Sequence, residues 1–256
     1  MEQNLMKKCK WCQKENLQLA KSHIIPRALF NHDGKNDRKI VSLNQHPKRK
    51  PIGSYDSNIL CADCESNFQQ IDSLAAEILL QNFNSYIIPF NDKKDNVAVQ
   101  INGQHKQEIK RFLIYVLWRA SVSTLKEFRN IDLGRHENKI KNELIENVIF
   151  ATHEYSFAAF KIEKSSGNIY PRKLNKSGFS GCNYYELDFA NFIFQIKVDS
   201  KTTPEPYKSI AEHEHIVFNK IDETPQKRRQ AMIRVIKSAY FNDQHAENAS
   251  DPKFLR

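Results

Sequence analysis

Hydrophobic residues recur at three- and four-residue steps in three stretches, and each stretch reads as a helix with one buried face. The first runs over 67–83, where Phe68, Ile71, Leu74, Ala75, Ile78 and Leu79 share a face. The second covers 106–128 and contains Leu113, Leu117, Trp118 and Leu125. The third covers 135–151, with Ile140, Leu144, Ile145 and Val148. Strand-like segments fall at 85–90, 96–101, 157–162, 184–189, 191–198 and 215–218, and Asn102-Gly103 supplies a tight turn after the second of them. Pro225 introduces a last helix through about Tyr240, whose Lys227, Arg228, Arg229, Arg234 and Lys237 read as a solvated basic face. Residues 1–65 are loop-rich, with short extended pieces such as Ile40-Val41-Ser42-Leu43. Asp63 is the expected cap of the first helix. Strands mixed with segregated helices predict an α+β fold, with a head at 1–84 and a larger mixed α/β body at 85–256.

Composition narrows the class. The 256 residues are 40% hydrophobic and 27% charged, as in a soluble globular protein. The longest apolar run, Phe112 to Trp118, is far short of a membrane span and has charges on both sides. The opening MEQNLMKKCKWC has no secretory apolar stretch, so a cytoplasmic location is expected. Five cysteines, an odd number, argue against a disulfide framework. Residues 1–55 hold twelve Lys or Arg and four Asp or Glu, so they carry +8 of the chain's +9. Such concentration suits a surface that displaces counterions from nucleic-acid phosphates.

The cysteines supply the chemistry. Cys9 and Cys12 form one CxxC pair and Cys61 and Cys64 a second, which together offer the four thiolates of a closed structural zinc site. Closing the 48-residue loop between them costs roughly 3–4 kcal/mol plus a constant, whereas structural zinc contributes roughly 10–16 kcal/mol. Cys182 stands apart and reads as an ordinary thiol. Inside the loop lies Ser22-His23-Ile24-Ile25-Pro26, and Glu65 directly follows the last cysteine.

Over roughly residues 9–83 the chain resembles the HNH endonucleases, the zinc-knuckle group of the ββα-metal nucleases. The resemblance rests on KSHIIP at Lys21–Pro26 and on YDSNILCADCE at Tyr55–Glu65. It implies a zinc-stabilised ββα-metal, HNH-like module and hydrolysis of phosphodiester bonds in DNA rather than RNA. His23 matches the general base. Asp56 matches the middle position that orients it, with Asn58 as the alternative two residues on. Glu65 matches the ligand of a catalytic Mg²⁺ or Mn²⁺. A neutral imidazole suits proton abstraction from water near neutral pH, and a hard divalent ion takes oxygen ligands. The sequence departs from the family at Ser22, where a carboxylate or histidine usually stands; either Asp56 or a histidine such as His32 or His46 completes the site, or metal binding is weak. Bacterial proteins of this layout imply a setting in antiviral defence.

Lys35, Arg38, Lys39, Lys48, Arg49 and Lys50 fall between His23 and Asp56 and are the expected phosphate contacts. His213 and His215, alternating with Glu212 and Glu214, read as an exposed edge. Residues 85–256 carry no catalytic motif and are expected to sense, to dock a protein partner or to select substrate. Two other readings stay open: a non-catalytic nucleic-acid-binding zinc module, and a subunit of a multi-protein system with a structural head.

Overall fold

The computed structural model describes residues 7–30, 39–40, 48–50, 52–88, 98–162, 168–169, 172–173 and 181–221. From the N-terminus, β1 (Ser22–His23), α1 (Arg27–Phe30), β2 (Lys39–Ile40), β3 (Lys48–Arg49) and β4 (Tyr55–Asp56) lead into α2 (Ala62–Ala76). A π-helical turn, Glu77–Gln81, and a 3₁₀ turn, Phe83–Tyr86, carry the chain to β5 (Ile87–Ile88) and β6 (Ala98–Ile101). Then come α3 (Lys106–Val122), α4 (His136–Ile145), β7 (Phe157–Ile162), β8 (Asn168–Ile169) and β9 (Arg172–Lys173). The described chain ends with β10 (Tyr184–Phe189), β11 (Phe192–Lys197), α5 (Tyr207–Glu212) and β12 (Ile216–Ile221). The basic helix expected after Pro225 lies outside the described residues.

Seven strands form one mixed sheet in the order β5-β6-β12-β7-β11-β10-β9, antiparallel except for the parallel β12–β7 pair. Every residue of β10 and β11 is buried, because both faces of the sheet are covered. Ala159, Leu187, Phe194 and Phe218 share a core with α3, while Ala158, Phe160, Ile193 and Val217 pack with Tyr207 and Ile210 of α5. Strand alternation thus serves two cores at once. The α5 helix, six residues long, is too short for the periodic pattern that marks the others.

The helix boundaries shift for local reasons. α2 begins five residues ahead of the expected position, with Cys61 at the N-cap in extended geometry (φ −77°, ψ 167°) and its carbonyl accepting from the Glu65 N–H at 2.9 Å. Asp63 therefore sits inside the first turn rather than capping it, and no side chain caps this end. α3 stops at Val122 instead of 128 because Ser123 is extended (ψ 145°) and turns, with Thr124, toward Asp56. α4 ends at Ile145, short of 151, just ahead of Asn147 in the left-handed region (φ 55°). The Asn102-Gly103 pair caps a 3₁₀ turn, Gly103–His105, through Asn102 Oδ1 and the Gln104 N–H at 2.9 Å, rather than closing a hairpin.

Gly103 is fixed by contact. A Cβ there would stand 1.8 Å from the Glu214 carbonyl oxygen, and that neighbour is main chain. Gly103→Ala should cost about 2 kcal/mol or more through forced backbone displacement, read as a lower midpoint in urea unfolding.

The head and body share one hydrophobic core. Trp11, beside Cys12, packs edge-on to Phe68 of α2 at 4.9 Å and to Trp118 of α3 at 4.8 Å, and Phe68 meets Tyr115 at 4.4 Å. The first CxxC segment is therefore seated on α3, the central helix of the body.

Candidate metal centre and histidine site

β1 and β4 form an antiparallel two-residue ribbon with Ser22 opposite Asp56 and His23 opposite Tyr55. The ribbon continues through main-chain bonds, Ile24 N–H to Ser54 at 3.0 Å and Ala20 N–H to Leu60 at 2.8 Å, so its far end delivers Cys61 to the start of α2. A Leu19–Cys61 bridge and a Lys10 N–H bond to Ile59 at 2.8 Å tie the first knuckle alongside. A strand ribbon feeding a helix thus brings both CxxC pairs, His23 and the first turn of α2 together.

The four thiol sulfurs of Cys9, Cys12, Cys61 and Cys64 all lie within 4.8 Å of one another. A tetrahedron with metal–sulfur bonds of about 2.3 Å has edges of about 3.8 Å. The Cys12–Cys61 separation of 3.8 Å matches that edge. None of the cysteines is in a disulfide. Burial pushes the Cys9 thiol up, but main-chain N–H groups of Cys12, Cys61 and Trp11 outweigh it and hold the pKa at about 7. Burial and neighbouring thiols drive Cys61 and Cys64 the other way. Four clustered thiols can ionise together only if a cation compensates them, so the cluster could hold a structural metal such as zinc. Cys182 is buried elsewhere, its sulfur 3.6 Å from the Thr202 carbonyl.

His23 is half-buried on β1, and its Nε2 lies 3.2 Å from the Ile52 carbonyl oxygen. A carbonyl only accepts, so this bond requires the proton on Nε2 and leaves Nδ1 of the neutral ring as the basic nitrogen. Gly53, in the left-handed region (φ 85°), makes the turn that presents this carbonyl, and its α-carbon faces the His23 and Phe30 rings. Glu65, in the first turn of α2, is buried to 9% exposure and its Oε2 has no hydrogen bond among the described residues. Ser22 is fully buried, with an Oγ likewise outside hydrogen-bond geometry. Burial raises the Glu65 pKa, while the adjacent Ser22 hydroxyl, the Arg119 guanidinium and His23 pull it back and Asp72 adds to the rise. The Glu65 carboxylate is thus buried within electrostatic reach of Ser22, His23 and Arg119.

The structure does not bring Asp56 to His23. Asp56 Oδ1 accepts from the Asn58 main-chain N–H at 2.9 Å and from Asn58 Nδ2 at 3.0 Å. Its Oδ2 accepts from the Thr124 N–H at 2.6 Å and from the Thr124 and Ser123 hydroxyls at 2.9 Å each. Asn58 does not reach His23 either, because its side-chain oxygen accepts from Lys7 and its amide serves Asp56 and Thr124. The expected orienting contact is replaced by the Ile52 carbonyl, and Asp56 instead fastens the ribbon to the end of α3. Burial would raise the Asp56 pKa, but the donors of Thr124, Ser123 and Asn58 win and lower it. Its contribution to stability is therefore full above the ordinary Asp value of about 3.9 and is lost as pH falls through the lower folded value. Asp56→Ala should cost about 3 kcal/mol by stranding buried donors, and acid unfolding of the variant should lose its steepest step below pH 4.

Lys35, Arg38, His32 and His46 lie outside the described residues. Lys39 and Lys48 fall on β2 and β3, which pair antiparallel while β2 also pairs parallel with β8. Arg49 is exposed on β3. Lys50 is committed to Glu127 at 3.2 Å, and Glu127 also accepts from the Ser54 hydroxyl at 2.7 Å. His213 and His215 flank the end of α5 and the start of β12, where the His215 N–H donates to His213 Nδ1 at 3.1 Å. Among the described residues, the four thiols are the one group of three or more His, Cys, Asp or Glu side chains placed to share a metal ion.

Motif reading missed Arg119 and Asp72. Arg119 is fully buried, bonds Asp72 through two 2.7 Å contacts, and lies over the Phe68 ring at 5.4 Å. The available signal was helical spacing, since Glu65, Phe68 and Asp72 stand at three-, four- and seven-residue steps on one face of α2. No helix among the described residues is long and apolar enough to cross a membrane. No protein-family model, no curated protein and no solved structure matches the chain.

Proposed function

We propose that the chain is an HNH-type endonuclease, hydrolysing phosphodiester bonds in DNA with a structural zinc on Cys9, Cys12, Cys61 and Cys64 and a divalent ion beside His23. The observation that carries this reading is the buried Glu65 carboxylate, with Ser22 beside it and within electrostatic reach of a histidine whose Nδ1 is the basic nitrogen. Ser22 and Glu65 would hold the ion, which when bound supplies charge stabilisation for the scissile phosphate and the leaving oxygen. His23 takes the proton from the attacking water, and the Ile52 carbonyl fixes its tautomer. Burial raises the Glu65 pKa, and the Arg119 guanidinium, paired with Asp72, works against that rise.

The basic β2–β3 segment supplies the phosphate contacts in this reading. Changing Lys48 and Arg49 to Ala should flatten the slope of DNA affinity against salt by about one unit per lost contact, irrespective of sequence. An unchanged slope would remove the segment from the DNA face.

Plasmid cleavage tests the central claim. Zinc-loaded protein should nick or linearise supercoiled DNA with Mg²⁺ or Mn²⁺, and His23→Ala should not. If the native chain binds DNA but leaves it intact under both ions, the binding-module reading replaces this one. The engagement of Asp56 with Thr124 favours that alternative, because it leaves His23 without a hydrogen-bonded carboxylate among the described residues.

A further inference from the structure

A cavity of about 430 Å³ lies between the N-terminal turn of α4, the 153–155 turn and the segment after β11. Its charge is lopsided in a specific way. Both carboxylates that line it are consumed by its own cations. Asp199 pairs with the buried Lys197 at 2.7 Å and accepts from the Asn183 and Lys201 N–H groups, and Glu154 pairs with Lys139 at 3.4 Å. Among the described residues the Arg135 guanidinium makes no hydrogen bond or ion pair, and the Lys201 ammonium reaches only the Gly181 carbonyl, at 2.9 Å. The first two N–H groups of α4 are already spent on the Leu133 and Gly134 carbonyls, at 3.0 and 3.1 Å, so the cationic side chains are what the cavity offers an anion. His136 and His153 complete the lining, together with Tyr155.

The walls are stiff. Tyr155 donates its hydroxyl to Glu143, and the Tyr185 hydroxyl bonds the Asp132 carbonyl, holding the approach to α4 against β10. Burial and then the Arg135 charge lower the His136 pKa, with Lys139 and Lys197 acting in the same sense and Asp199 opposing them. The site is thus short of negative charge before any ligand enters.

We infer that this cavity binds a small phosphorylated molecule of the nucleoside-phosphate class. Its volume falls among small-molecule sites of about 300–1,000 Å³. Arg135 and Lys201 match a phosphate, which accepts several charge-assisted bonds at once. The rings of Tyr155, His136 and His153 suit a flat, partly apolar group attached to it. The inference is independent of the nuclease reading, because none of these residues belongs to the His23 site.

Titration calorimetry of the zinc-loaded full chain with ADP and with inorganic phosphate tests it. ADP should bind one per chain and more tightly than phosphate. The Arg135→Ala/Lys201→Ala double variant should weaken ADP at least ten-fold with unchanged melting temperature and zinc content. Independently of any variant, ADP should shift the His136 ring resonances of the native chain and raise that histidine's pKa. Absence of saturable ADP binding at millimolar concentration would overturn the inference, as would unchanged affinity in the double variant. Displacement of ADP by a short DNA duplex whose own binding falls in that variant would also overturn it, by making the cavity part of a nucleic-acid face.

Discussion

His23→Ala should lower plasmid cleavage by roughly 10²–10⁴-fold, the contribution of a positioned general base. The same variant should keep its zinc and its DNA affinity, since the four sulfurs cluster without help from the imidazole. Glu65→Ala should lose cleavage to a similar degree by another route, through the divalent ion. Excess Mn²⁺ should therefore restore part of the Glu65→Ala rate and none of the His23→Ala rate. Asp56→Asn is the informative third variant. Its carboxylate serves Thr124 and Ser123 rather than His23, so cleavage should persist while thermal stability falls. Loss of cleavage in Asp56→Asn with unchanged stability would restore the orienting role and contradict the geometry described above.

Removing the structural metal should have the largest effect on stability. Binding at a four-thiolate site contributes roughly 10–16 kcal/mol, more than the whole stability of most domains. Cys61→Ser, or chelation of the native protein, should unfold the ribbon and α2 and expose the indole of Trp11, now 9% exposed. Because Trp11 packs on Trp118, the loss should spread into the body and appear as one cooperative change in tryptophan fluorescence. The protein as purified should contain about one zinc per chain. Full native fluorescence and an unchanged melting curve after complete zinc removal would show that the thiol cluster is not a structural metal site.

The features readable from the linear chain were those with local causes. Helices α2, α3 and α4 announce themselves because a buried face repeats every three to four residues regardless of what covers it. The two CxxC pairs point to one site because each fixes two thiols on a tight turn, and four soft donors together suit one metal ion. β7, β10 and β11 also emerge from their apolar runs. The ends of these elements were less visible: Cys61, Ser123 and Asn147 set them through partners and backbone geometry that no periodicity encodes.

The site itself followed a different logic. The family resemblance implied Asp56 next to His23, but a buried carboxylate takes the donors that folding places nearest, and those belong to Thr124, 68 positions away. With Asp56 engaged there, a main-chain carbonyl at Ile52 took over the imidazole, a partner invisible in sequence because every residue has one. Arg119 and Asp72 came together through the packing of α3 on α2, which also decided the electrostatics around Glu65. The cavity at α4 draws on residues from 135 to 201 that share no motif. Ligand type and helical period are properties of short segments, so the chain alone fixed them. Which donor meets which acceptor depends on the closure of loops tens of residues long, and only the folded arrangement settles that.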